Sequence, residues 1–133
     1  MKYNLQHCIG SRLRRLSRIT DAHFRSLLAD FDITENQMTI LFALSEMGKV
    51  EQGRIGLVLA LERSTVSRNV KLLEKQKYVV RTADYRPEIE LSQAGKELVQ
   101  TLIPLWEKTM DELVLMLGKD GLAHLEVLEK RIE

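Results

Sequence analysis

Between Ser64 and about Gln76 the chain sets hydroxyls and cations at helical spacing. At about 100° per residue, Val66, Val70 and Leu73 fall within about 60° of one another, and Ser64, Arg68, Lys71 and Lys75 cluster on the opposite side. One face packs, and the other offers donors and positive charge. Arginine is the side chain best matched to the O6 and N7 acceptors of guanine, while serine and threonine hydroxyls can meet either a base edge or a phosphate. Ser64, Thr65, Ser67 and Arg68 are therefore the available readers of base edges, with Arg68 foremost. Lys71 and Lys75 suit backbone phosphates, where contacts carry affinity without sequence information.

Such a face needs elements to hold it out. Upstream, Leu5, Ile9, Leu13, Leu16, Phe24, Leu27, Leu28 and Phe31 recur in steps that predict one long amphipathic helix from Leu5 to about Phe31. Thr34 with Gln37 three residues on forms a capping box, and Ile33 and Met38 are spaced for a hydrophobic staple. They open a second helix ending near Met47 and Gly48. Ile55, Leu57, Val58 and Leu59 predict a short third helix, despite Gly53 and Gly56.

After the cationic helix the pattern becomes β. Tyr78 to Thr82 and Glu88 to Ser92 predict two short strands around a turn at Asp84 to Pro87. Ser92 then caps a helix whose Leu98, Leu102, Leu105 and Leu113 run past Pro104, which should kink or break it, to a stop at Gly118. Asp120 opens a last helix with Leu122, Leu125 and Leu128. The fold class is mainly α with a small β-hairpin. Short helices, a helix with a cationic outer face and a hairpin, in that order, make a winged helix-turn-helix, a shape suited to the DNA major groove.

The 133 residues are 44% hydrophobic and 29% charged, enough to bury one core and too apolar for disorder. Net charge is +1 overall, but it is unevenly spread. Residues 1 to 60 carry 8 basic and 6 acidic side chains, residues 61 to 86 carry 7 and 3, and residues 87 to 133 carry 5 and 10. The basic middle suits a polyanion. One cysteine excludes an internal disulfide framework, no apolar run approaches the length of a membrane span, and the N-terminus lacks a secretion pattern, so a cytoplasmic location without membrane attachment is expected. No catalytic triad, phosphate-cradling glycine loop or carboxylate pair stands out, which argues against an enzyme. His7, His23 and His124 lack metal-ligand spacing, and neither metal nor cofactor is expected.

The chain resembles the MarR (multiple antibiotic resistance regulator) family of transcription factors over nearly its whole length. The resemblance is carried by Ile33-Thr34-x-x-Gln37, by the run from Leu61 to Glu74 with Ser64-Thr65-Val66-Ser67-Arg68 at its centre, by Asp84-x-Arg86, and by Leu91-Ser92-x-Ala94-Gly95. It implies a homodimer in which residues 1 to 31 and 93 to 133 are interlocking dimerisation helices and residues 33 to 92 form the winged domain. It further implies a near-palindromic operator on double-stranded DNA, repression relieved by a small aromatic or anionic effector, and a wing arginine, Arg86, entering the minor groove. The alternative is a winged-helix protein-interaction module without sequence-specific DNA binding.

Two features depart from the family pattern. Lys77 stands where the family has glycine, at a site expected to need a left-handed backbone. The wing is short, with only Thr82 and Ala83 between Arg81 and Asp84, and Pro87 stiffens it. Three further residues or groups have two readings each. Cys8 is either a redox sensor or an inert small hydrophobe. Arg12, Arg14, Arg15 and Arg18 either add a second DNA contact or pair with the acidic C-terminal region across a dimer. Trp106 either stacks on a ligand or belongs to core or interface.

Overall fold

The computed structural model describes residues 1–133. A 3₁₀ turn at Leu5–His7 leads into α1 (Ile9–Leu27). Then follow α2 (Glu35–Met47), β1 (Val50–Glu51), α3 (Gln52–Leu59), α4 (Arg63–Lys75), β2 (Val79–Arg81), β3 (Glu88–Leu91) and α5 (Gln93–Ile132). The winged helix-turn-helix order is present, and long helices flank it. No helix is long and apolar enough to cross a membrane.

The first predicted helix is shorter than its apolar periodicity. Cys8 is extended and serves as N-cap of α1, and at the other end the helix stops at Leu27. The turns after it carry Leu28 and Phe31 to the core by another backbone path.

Helix α2 begins as its residues require. The Thr34 hydroxyl accepts from the Gln37 amide at 3.3 Å, and the Gln37 side-chain oxygen accepts from the Thr34 amide at 3.0 Å. Ile33 and Met38, on either side of the cap, enter the same core as Ile40, Leu41 and Leu44.

The sheet has three strands, one more than the hairpin expected. Its order is β1-β3-β2, antiparallel throughout, with Val50 opposite Ile89 and Val79 opposite Leu91. The core lies between this sheet, α2, α4 and the first half of α5, and Ile55, Val66, Val70, Leu73, Ile89 and Leu102 are fully buried in it.

Helix α5 corrects two expectations. It runs through Pro104 without a break; the break comes at the expected stop, Gly118, whose φ of 69° and ψ of 174° divide α5 into two helical segments. Proline removes the hydrogen bond to the carbonyl of Gln100, and both residues lie on the exposed side, where water can serve that carbonyl. Leu98 and Leu102, within the segment expected to form a dimerisation helix, instead pack in the chain's own core, Leu102 with no exposure. Beyond Leu113 the helix is bare. Leu115, Leu125 and Leu128 are 83%, 48% and 53% exposed.

Candidate nucleic-acid interface

The helix predicted to carry the chemistry is α4. Its buried stripe is Val66, Val70 and Leu73, so its opposite face must look outward. Ser64, Arg68, Lys71 and Lys75 are exposed there, and Thr65 and Ser67 are half-buried at its edges. None of these side chains has an intramolecular ion pair. Asn69 is spent on the helix itself, donating to the Thr65 carbonyl at 2.9 Å. Glu62, the N-cap, makes no side-chain bond to the first turn, and no acidic residue lies within that turn. The free amides and the positive end of the helix dipole therefore add to the cationic character of this end.

The approach to α4 is set by a tight turn. Ala60 takes a left-handed conformation at φ 53°, and the Leu61 amide reaches back to the Gly56 carbonyl at 3.0 Å. A Cβ on Gly56 would lie 3.2 Å from the Leu61 carbonyl, so the glycine allows α3 to meet the turn closely. The periodicity of the sequence did not reveal this left-handed alanine.

The exit from α4 takes the left-handed turn expected at Lys77, whose φ is 67°. The Lys77 amide donates to the Glu74 carbonyl and the Tyr78 amide to the Leu73 carbonyl, both at 3.0 Å, which is the paired closure of a Schellman motif. The start of α5 is bolted to this turn. The Ser92 hydroxyl donates to the Lys77 carbonyl at 2.6 Å and accepts from the Gly95 amide at 3.1 Å. A Cβ on Gly95 would stand 2.1 Å from the Tyr78 carbonyl oxygen, so only glycine fits.

The wing follows. The Thr82 amide donates to the Glu88 carbonyl and the Glu88 amide to the Thr82 hydroxyl, each at 2.9 Å, closing the loop at its base. Asp84, Tyr85, Arg86 and Pro87 all project beyond that clamp and are exposed. Arg86 thus sits on the loop expected to carry it, apart from the α4 face.

Arg81, Arg54 and Arg63 were not singled out from the sequence. Arg81 donates through Nη2 to Glu74 at 2.7 Å and to Gln52 at 2.8 Å, so one guanidinium ties β2 to α4 and α3. Arg54 and Arg63 join it around an open groove of about 700 Å³ between α3, the start of α4 and Pro87 of the wing. Only the fold could bring them together, since they come from three separate elements.

The other sequence candidates are also placed. Cys8 is a half-buried free thiol. Arg12, Arg14, Arg15 and Arg18 are exposed on α1 without an acidic partner within the chain. Trp106 is half-buried, its ring edge-to-face with Phe42 at 5.5 Å and 82°.

Comparison with known proteins agrees with this architecture. Residues 31–87 match the MarR family. The HTH-type transcriptional regulator SarZ of Staphylococcus aureus (strain MRSA252) is 29% identical over 93 residues, 67% of this chain and 63% of SarZ. The chain thus spans less than two thirds of that relative's length. Among solved structures, Bordetella bronchiseptica BpsR superposes with a TM-score of 0.88 at 21% identity, covering 98% of this chain and 96% of that one. That structure concerns regulation of DNA binding by 6-hydroxynicotinic acid. A mutant MarR from E. coli complexed with operator DNA gives 0.85 at 20% identity, covering 98% and 99%. At these identities the structural likeness establishes the fold.

Proposed function

From the match of residues 31–87 to the MarR family we infer that the chain is a DNA-binding regulator of transcription of that family, a homodimer that represses from a near-palindromic operator and is released by a small effector. The observation that carries the reading is the division of α4 into a fully buried apolar stripe and an exposed face of Ser64, Arg68, Lys71 and Lys75. Ser64, Thr65, Ser67 and Arg68 read base edges in the major groove, Lys71 and Lys75 hold phosphates, and Arg86 on the wing reaches the minor groove, where narrow A/T-rich segments attract arginine. Arg54 and Arg63 extend the phosphate-binding surface around the groove beside them.

Support for the homodimer comes from apolar surface. Leu5, Ile9, Leu13 and Leu16 on the N-terminal segment, and Leu125 and Leu128 at the far end of α5, are all exposed. Apolar surface on this scale marks an interface. Residues 1 to 31 and 93 to 133 are assigned to it, and residues 33 to 92 to DNA. The reading is tested by electrophoretic retardation with DNA from upstream of the protein's own gene. Retention of that fragment over unrelated DNA of equal length supports it, and equal retention of both returns the fold to the interaction-module alternative.

A further inference from the structure

A second cavity lies away from the DNA face, with about 410 Å³ between α2, α3 and α5. That volume falls within the range of small-molecule sites. Phe42, Val58, Leu59 and Trp106 give it an apolar and aromatic wall, and Glu46 and Glu107 also line it. No Lys, Arg or His does. The chain's ion pairs are Arg25 with Glu35, Arg81 with Glu74, and Lys130 with Glu126, so within the chain neither cavity carboxylate is paired with a cation.

An aromatic acid entering this space would bring a third negative charge beside two carboxylates unpaired within the chain, with no cation among the lining residues to receive it. An aromatic cation meets the opposite situation. Its ring adds to the apolar wall, and its charge is attracted both by the carboxylates and by the electron-rich faces of aromatic side chains.

We propose that this cavity binds a small aromatic cation, an amine or quaternary ammonium, and not an anionic aromatic acid. Binding itself does not depend on DNA recognition; its regulatory consequence rests on the function proposed above. Helix α3 packs against α4, so a ligand wedged between α3 and α5 changes how the reading helix is carried. A ligand that fits only one such arrangement shifts the population toward it.

Trp106 is the only tryptophan, so its fluorescence reports the cavity directly in the free protein. The probes are benzyltrimethylammonium, its neutral isostere neopentylbenzene, and phenylacetate. Benzyltrimethylammonium should give a saturable change, with a Kd about tenfold or more below that of phenylacetate and below that of the neutral isostere. The double variant Glu46→Gln with Glu107→Gln, at two exposed positions that leave the core untouched, should weaken cation binding about tenfold and should not weaken phenylacetate. Phenylacetate binding as tightly as the cation, no saturation by the cation at millimolar concentration, or unchanged cation affinity in the double variant would each overturn the site. DNA release is scored separately. Cation-loaded protein that keeps its DNA overturns the regulatory consequence alone, whereas protein that binds no DNA specifically overturns the proposed function and leaves the fluorescence result standing.

Discussion

Lys77→Gly should stabilise the protein. Lys77 holds φ at 67° because the Schellman closure from Lys77 to Glu74 and from Tyr78 to Leu73 requires it, and the Ser92 hydroxyl fixes the same residue's carbonyl. Its side chain is exposed and makes no hydrogen bond or ion pair, so its replacement forfeits little. Relief of left-handed strain at a residue with a Cβ gives roughly 1–2 kcal/mol, and the extra freedom of glycine in the unfolded chain takes back roughly 0.4–1 kcal/mol. The net gain is about 1 kcal/mol, which for a chain of this length raises Tm by about 3–5 °C. Urea denaturation of both proteins at one fixed concentration reads it, with the midpoint moving up and the slope unchanged. A variant that is neutral or less stable would refute the reasoning that the turn is strained by its side chain.

Gly95→Ala should lose about 2–4 kcal/mol in the same assay, because its Cβ would overlap a backbone carbonyl that cannot rotate away. Arg68→Ala should cost about 1–3 kcal/mol on the cognate site and relax preference at one base pair per half-site. Lys75→Ala should weaken cognate and random DNA alike and lower the salt slope by about one, and equal loss of discrimination in both variants would reverse the assignment of reader and positioner. Leu125→Asp should dissociate or unfold the dimer in sedimentation, and a wild type that sediments as a monomer at micromolar concentration would remove the interface. Peroxide should leave DNA binding of wild type and Cys8→Ser alike, since Cys8 is the only cysteine and has no resolving thiol; loss in the wild type alone would make it a redox switch.

Features closed within a few residues were legible in the sequence. The Thr34–Gln37 box and the two faces of α4 depend on side chains within a turn or two, so spacing exposes them, whereas the left-handed turn at Lys77 was expected only from the glycine that the family has there, and the one at Ala60 carried no such signal. What depended on distant partners was not legible. Strand β1 is two residues long, with no alternation to detect, and it exists because Val50 and Glu51 pair with Ile89 and Glu88. Leu98 and Leu102 share the helical stripe of α5 with later leucines, and only packing against α2 decides that they belong to the chain's own core. Pro104 carries a local signal for a break, which was overridden because one exposed carbonyl is a small loss in a long helix. The Arg54, Arg63 and Arg81 cluster gave no signal at all, since its members are scattered across α3, α4 and β2. The cavity beside Trp106 was likewise out of reach, because its lining comes from three helices and its charge is the sum of residues far apart in the chain.

Selection of bound DNA from a random pool depends on no assumed operator and reads specificity, symmetry and half-site spacing together. One motif should be enriched, made of two half-sites related by a two-fold axis, with centres about one helical turn, or a multiple of it, apart, as two α4 helices in successive major grooves would require. With Arg68→Ala the same motif should still be enriched but lose its preference at one base pair in each half-site. A pool that returns no shared motif, while the protein stays folded and dimeric, would contradict sequence-specific DNA recognition by this chain.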